Sequence, residues 1–204
     1  MIDKEIKEEN INLNKLNYKR NLFVKIIDNA FTHEQCSEFI KLSENKGYEI
    51  AKLNTSNGEE SYNPYIRNNY RCIIDDLDIS NKIWNIIKDY IPELWENKKV
   101  IGINERLRFL KYNEGQQFIK HKDGYYVRPD NTEKSFITFQ LYLNDNFDGG
   151  CTTFIGNNDE QVIQEIKPKT GRVLLFEHGI YHKGDIIKKG TKYCIRSDIM
   201  YSLL

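Results

Sequence analysis

Ile137-Thr138-Phe139-Gln140-Leu141-Tyr142-Leu143 alternates along its whole length between purely apolar side chains and side chains that carry a hydroxyl or an amide. In an extended chain, side chains at i and i+2 share a face. Ile137, Phe139, Leu141 and Leu143 therefore form one side, and Thr138, Gln140 and Tyr142 the other. A helix cannot keep the two sets apart, because its period is 3.6. The stretch predicts a strand with one face for a core. Its other face suits either the wall of a polar pocket or solvent.

Similar short runs, separated by turn residues, occur at 105–112, 116–121, 135–143, 151–155, 161–167, 172–177, 182–187 and 191–201. Such a series predicts an all-β sandwich or barrel, of which a jelly roll is the most economical form. The N-terminal half reads differently. Leu22 to Ile27 is strand-like, and Thr32-His33-Glu34-Gln35 has the capping-box spacing, opening a helix through about Glu44 with Phe39, Ile40 and Leu42 on its apolar side. Lys46 to Pro64 reads as irregular loop around a strand at Tyr48 to Leu53. Ile83, Trp84, Ile86, Ile87 and Ile91 recur at helical spacing in a second helix, Ser80 to Leu94. Helices of this kind need a sheet to cover, so the expected fold class is α+β. Residues 1–20, dense in Lys, Glu and Asn, read as a flexible leader, and 21–204 as a single domain with its jelly-roll core at about 104–202.

Thirty basic and thirty acidic residues in 204 cancel. That balance argues against a broad cationic surface, hence against nucleic acid as a partner. Cys36, Cys72, Cys151 and Cys194 are widely scattered with no C-x-x-C pair, which suits neither a zinc knuckle nor a disulfide scaffold. With neither an apolar signal core nor a stretch of membrane-spanning length, a cytoplasmic location and no membrane partner are expected.

Chemistry enters with His121-Lys122-Asp123 and, 59 residues after the aspartate, His182. Two imidazoles and one carboxylate can occupy one face of an octahedral Fe(II), leaving three positions for a bidentate co-substrate and dioxygen. The last strand-like run places Lys192, Cys194, Arg196 and Asp198 on one face, and the run at 105–112 does the same with Arg106, Arg108, Leu110 and Tyr112. Cations on an inward face demand an anion, whereas on an outward face they are solvated. His178 and His182 stand four apart, but Gly179 and the lack of the glutamate of H-E-x-x-H disfavour a zinc-protease site. A hydrogen-bonding role behind the metal, or a plain turn, suits His178 better. His33 reads as a surface residue and Asp185 as an exposed turn carboxylate.

The blocks Asn104-Glu105-Arg106-Leu107-Arg108-Phe109, Tyr112-Asn113-Glu114-Gly115-Gln116, His121-Lys122-Asp123-Gly124, Tyr142-Leu143-Asn144, Gly149-Gly150-Cys151-Thr152-Thr153-Phe154 and Gly190-Thr191-Lys192-Tyr193 occur in one order. Together they resemble the prolyl 4-hydroxylase-like branch of the Fe(II)/2-oxoglutarate-dependent oxygenases, from about Asn104 to Tyr201. The resemblance implies a double-stranded β-helix (jelly roll, cupin-like) with the N-terminal helices packed on the outer face of one sheet. It implies a dioxygenase that hydroxylates an amino-acid residue, as a prolyl hydroxylase does, or a related small substrate, releasing succinate and CO2. His121, Asp123 and His182 would be both metal ligands and catalytic centre. Lys192, Arg196, Tyr112 and Tyr142 would hold 2-oxoglutarate, with Lys192 at the position of the prolyl hydroxylases' basic partner. Asn104, Arg106 and Arg108 are candidates for a substrate wall. Fe(II), 2-oxoglutarate and O2 are the implied cofactor set, with ascorbate as reductant, and the implied partner is a peptide, protein or small-molecule substrate. Arg196-Ser197-Asp198-Ile199-Met200-Tyr201 departs from the tryptophan-bearing ending of collagen-type prolyl hydroxylases, which leaves proline open as the target. Two other functions compete: oxidative demethylation of nucleic acid or protein, and a non-catalytic cupin-like metal-binding module.

Overall fold

The 137–143 alternation lies at the end of a ten-residue strand, Glu133–Tyr142, in a computed structural model that describes residues 5–13, 21–54, 60–157 and 161–204. In chain order the frame is built from Lys7–Asn10 (β1), Val24–Asp28 (β2), Tyr70–Asp75 (β3), Lys98–Ile103 (β4), Arg106–Tyr112 (β5) and Phe118–His121 (β6). It continues with Glu133–Tyr142 (β7), Thr152–Ile155 (β8), Val162–Ile166 (β9), Val173–Glu177 (β10), His182–Gly184 (β11) and Lys192–Ser202 (β12). The larger sheet runs β1-β2-β10-β7-β12-β5-β3, with β4 beside the second half of β12. The smaller sheet runs β6-β11-β8-β9, and every pairing in both is antiparallel. This is the expected jelly roll.

Parity along β7 decides what lies where. Ile137, Phe139 and Leu141 are fully buried in the cluster that also takes Phe109, Leu175 and Ile195 from neighbouring strands. Two helices, His33–Lys46 (α1) and Leu77–Ile87 (α2), close this cluster with Cys36, Ile83 and Ile87, so they cover the outer face of the larger sheet. Each fully buried aliphatic or phenyl side chain there contributes about 1.5–3 kcal/mol. The opposite face looks into the space between the sheets, where Leu110, Tyr112, Tyr142, Phe154, Phe176 and Cys194 form a second cluster. Register aligns that inner face: Gln140 pairs with Arg196 and Arg196 with Arg108, Tyr142 with Cys194 and Cys194 with Leu110, and Lys192 with Tyr112.

The capping box holds as read. Thr32 Oγ1 accepts from Gln35 N at 3.2 Å, and Gln35 Oε1 accepts from Thr32 N at 2.8 Å. The second helix is shifted. Asp76 caps it by accepting from Ile79 N at 2.8 Å, and it ends in a 3-10 turn at Lys88–Tyr90, because Ile91 precedes Pro92 and takes an extended conformation. Part of the stretch read as a leader is described. Lys7–Asn10 pairs with Lys25–Asp28 and Leu13 is buried, while residues 1–4 and 14–20 lie outside the described residues. The run read as 182–187 is two pieces in different sheets, β11 and Ile187–Lys189. The expected strand at Tyr48 to Leu53 is likewise broken into Glu49–Ile50 and Leu53–Asn54. Strands β3 and β4 were not evident in the sequence. No helix among the described residues is long and apolar enough to cross a membrane.

Candidate active site

Antiparallel pairing of β6 with β11 sets His121 directly opposite His182, with ring centroids 4.2 Å apart. Each imidazole is oriented by a carbonyl two residues earlier: His121 Nδ1 lies 2.7 Å from Ile119 O and His182 Nδ1 3.0 Å from Ile180 O. A proton on Nδ1 satisfies that contact and leaves Nε2 with a free lone pair. Both Nε2 atoms converge on Asp123, at 3.9 Å from Oδ1 for His121 and 3.8 Å from Oδ2 for His182. One ligand atom from each of the three side chains falls within 4.8 Å of the others.

Electrostatics keep these groups in metal-binding form. Burial, with the charge of the neighbouring imidazole second, lowers His121 to about 3, and burial also lowers His182, so both rings are neutral near pH 7. Burial alone would raise the Asp123 carboxyl, but Arg196 and the surrounding imidazoles hold it well below the usual carboxylate range. The aspartate is gripped from three sides. Its backbone N donates to His178 O at 3.1 Å, Thr138 Oγ1 donates to its Oδ2 at 2.6 Å, and Arg196 Nη2 lies 3.0 Å from its Oδ1. Behind Thr138 stands fully buried His178, its Nδ1 2.9 Å from Thr138 Oγ1 and its Nε2 2.9 Å from Ser135 Oγ. Phe118 stacks on His121 at 3.5 Å, and Phe176 meets His182 edge-on at 4.7 Å.

A cavity of about 480 Å³ opens in front of the triad and extends to Tyr112 and Lys192. Lys192 is a buried charge at its far end. It is 3 % exposed, its Nζ donates to Gly150 O at 2.6 Å, and it lies 5.5 Å and 5.3 Å from the ring centres of Tyr112 and Tyr142. Among the described residues no carboxylate comes within 4.0 Å of it, and burial pushes the ammonium below the usual lysine range. Gly150 is needed for this contact. Its φ is +67°, and a Cβ there would lie 2.5 Å from Ile187 Cδ1 and 2.9 Å from the Phe147 ring. Tyr142 Oη and Gln140 Nε2 both donate to Thr152 Oγ1, at 2.7 Å and 2.9 Å; Gln140 and Thr152 line the cavity, whereas Tyr142 is fully buried beside it.

The other site residues expected from sequence divide. Arg196 faces the cavity and lies 3.0 Å from Asp123 and 3.2 Å from Asp198. Arg108 also faces the cavity and donates to Asp198 Oδ2 at 3.0 Å. Asn104 and Arg106 do not line the cavity. Asn104 is buried with its Oδ1 accepting from Arg106 N at 3.0 Å, and Arg106 is half exposed beside Asp75 at 3.4 Å, because the strand begins only at Arg106. Asp185 is half-buried rather than exposed, accepting from Thr153 Oγ1 at 2.6 Å. Net neutrality also misled about the cavity. Its lining holds eight lysines and arginines against two carboxylates, Asp123 and Asp198.

Residues 107–197 match the family model described as the 2OG-Fe(II) oxygenase superfamily. The chain resembles these oxygenases, and the prolyl hydroxylases in particular. A prolyl hydroxylase from Trichoplax adhaerens, solved with a hypoxia-inducible-factor degradation-domain peptide, superposes with a TM-score of 0.65 at 19% identity, covering 92% of this chain and 86% of that one. The viral collagen prolyl hydroxylase of Paramecium Bursaria Chlorella virus-1, in its 2OG complex, gives 0.62 at 18% identity over 88% and 96%. A Pseudomonas putida prolyl-4-hydroxylase gives 0.61 at 13% identity over 95% and 91%. At these identities the solved structures establish the fold. No curated protein sequence matches the chain. The superfamily brings Fe(II) and 2-oxoglutarate, and the residues present suit both. Two neutral imidazoles with one carboxylate are a facial triad for Fe(II), and a buried ammonium without an acidic partner suits the far carboxylate of a diacid.

Proposed function

We propose that the protein is an Fe(II)- and 2-oxoglutarate-dependent dioxygenase that hydroxylates an amino-acid residue or a related small substrate. The observation that carries this reading is the pairing, in one cavity, of a convergent His121, Asp123 and His182 with a buried Lys192 that no carboxylate among the described residues neutralises. When bound, the iron supplies the redox chemistry: O2 is consumed, 2-oxoglutarate is oxidatively decarboxylated to succinate and CO2, and a substrate C–H bond becomes C–OH.

In this reading His121, Asp123 and His182 hold the metal, and the Ile119 and Ile180 carbonyls fix which imidazole nitrogen is offered. Thr138 and Arg196 fix the orientation of the Asp123 carboxylate. Lys192 binds the distal carboxylate of 2-oxoglutarate, with Tyr112 lining the cavity beside it and the Tyr112 and Tyr142 rings packed against its ammonium. Phe118, Phe154 and Phe176 keep water from the outer sides of the ligating rings. The substrate is a peptide, protein or small molecule reaching the triad through the mouth of the cavity.

Purified protein supplied with Fe(II), ascorbate and 2-oxoglutarate should form succinate slowly even without an added acceptor, and His182→Ala should abolish it. Succinate formation that survives in His182→Ala, or that does not need Fe(II), overturns the assignment.

A further inference from the structure

Co-substrate and metal leave part of the cavity's positive charge unaccounted for. Lys192 is matched by the distal carboxylate of 2-oxoglutarate and Asp123 by the metal, both on the reading above. Of the other lining cations, Arg71 pairs with Glu49 and Lys183 with Asp185, each at 3.1 Å, and Lys122 lies over the Tyr181 ring, whereas Arg67, Arg108 and Arg196 stand against the single lining carboxylate of Asp198.

Arg67 precedes β3, outside the jelly-roll strands. Its Nε donates to Asn69 Oδ1 at 2.7 Å, and its guanidinium lies 4.8 Å from the centre of the Phe118 ring, whose plane stacks on His121. The stack sets a guanidinium one ring away from a metal ligand, and no described carboxylate lies within 4.0 Å of it. Arg108 and Arg196 are cross-strand partners on β5 and β12, sharing Asp198 at 3.0 Å and 3.2 Å. Arg196 Nε is buried with no hydrogen-bond partner. Arg196 is four residues along β12 from Lys192, about 13 Å by strand rise, so these cations form a group apart from the one that holds 2-oxoglutarate. An excess of half-buried guanidinium is favoured to meet an anion that arrives with the ligand.

We propose that the substrate carries an anionic group, a carboxylate or a tetrahedral oxyanion, that docks against Arg67 and Arg108 beside the metal triad. This rests on the oxygenase reading, because the group is substrate only if the cavity holds 2-oxoglutarate at Lys192. Guanidinium is the fitting partner for either anion, since its planar fork donates two parallel hydrogen bonds. An acidic or phosphorylated acceptor, or an amino acid with a free carboxylate, has the required chemistry. A neutral prolyl peptide lacks it.

The test uses the full chain loaded with Mn(II) and saturating 2-oxoglutarate, titrated calorimetrically with three probes: sulfate, N-acetylglycine and the uncharged N-acetylglycinamide. The expected result is saturable binding of at least one anion and none of the amide, with sulfate against N-acetylglycine distinguishing a tetrahedral from a carboxylate group. Arg67→Gln and Arg108→Gln should each weaken that binding about tenfold to a hundredfold, the range of one charge-assisted hydrogen bond, and Arg67→Lys, which keeps the charge but loses the planar fork, should weaken it less than Arg67→Gln. Affinity for 2-oxoglutarate should stay near wild type in all three variants. Absence of saturable anion binding, equal binding of the amide, or a loss of 2-oxoglutarate rather than probe in the Arg67 and Arg108 variants overturns the proposal. Failure of wild-type protein to bind 2-oxoglutarate at all overturns the oxygenase reading instead.

Discussion

Replacing Lys192 with methionine should have opposite effects on the free and the liganded protein. The substitution keeps the length of the side chain and removes a charge that is 3 % exposed. In the free protein it forfeits the hydrogen bond to Gly150 O and the contacts with two tyrosine rings, together about 2–4 kcal/mol. It also removes the burial cost of an ammonium with no acidic partner, several kcal/mol, so stability should be unchanged or higher. In the 2-oxoglutarate complex the variant loses one member of a buried charge pair, a loss of about 2–5 kcal/mol, or about thirtyfold to a few thousandfold in affinity. Thermal unfolding of Mn(II)-loaded protein reads both effects. At a ligand concentration about 1,000 times the wild-type Kd, binding stabilises wild type by about 4 kcal/mol, a rise of about 8–16 °C for a chain of this size. A thirtyfold weaker variant keeps about half of that rise, and a thousandfold weaker one almost none. Arg196→Met is the contrast. Arg196 is tied to Asp123 and Asp198, so its loss should lower the stability of the free protein. A Lys192→Met protein that keeps the full 2-oxoglutarate shift refutes the assignment of this lysine.

Two further outcomes follow from the same geometry. Thr138→Val removes the 2.6 Å hydrogen bond to Asp123 and the link to His178, and should weaken Mn(II) binding about tenfold to a hundredfold with Thr138→Ser restoring it; equal metal affinity in all three proteins removes Thr138 from the support of the site. Metal-free protein should lose stability steeply as pH falls from 6.5 toward 4.5. Burial lowers His121 to about 3, His178 to about 4 and His182 below its usual value, so in this window the unfolded chain takes up protons that the folded one refuses. Each such imidazole contributes up to about 1.4 kcal/mol per pH unit, and urea unfolding midpoints at pH 7, 6 and 5 that do not move contradict their burial as neutral rings.

Strand parity made most of the frame legible in advance. On β7 the apolar set went to the helix-covered core and the polar set to the side of the cavity, where Gln140 lines it while Thr138 and Tyr142 are buried behind hydrogen bonds to Asp123 and Thr152. On β12 the Lys192, Cys194, Arg196 and Asp198 face turned inward. What parity could not say is which inward cation was already neutralised. Lys192 and Arg196 look equivalent along the sequence. They differ because Arg196 lies beside Asp123, which arrives from a different sheet, whereas Lys192 meets only a carbonyl and two rings. Asp198 belonged to the same inward face and carried the signal for that neutralisation, but its pairing with Arg108 depends on the register between β12 and β5, which no local pattern encodes.

Arg67 marks the limit of periodicity. It lies just before β3, in a stretch without alternation, and reaches the site because Asn69 and the face of Phe118 hold its guanidinium. It lines the cavity, whereas Arg106, read from its strand as a candidate for the substrate wall, turns to solvent beside Asp75. Overall charge is a sum over the whole surface, whereas the field at the triad is set by a few side chains in a low-dielectric cleft. Thirty acids and thirty bases are therefore compatible with a cavity where bases outnumber acids eight to two, and the balance along the chain says little about the charge a substrate must bring.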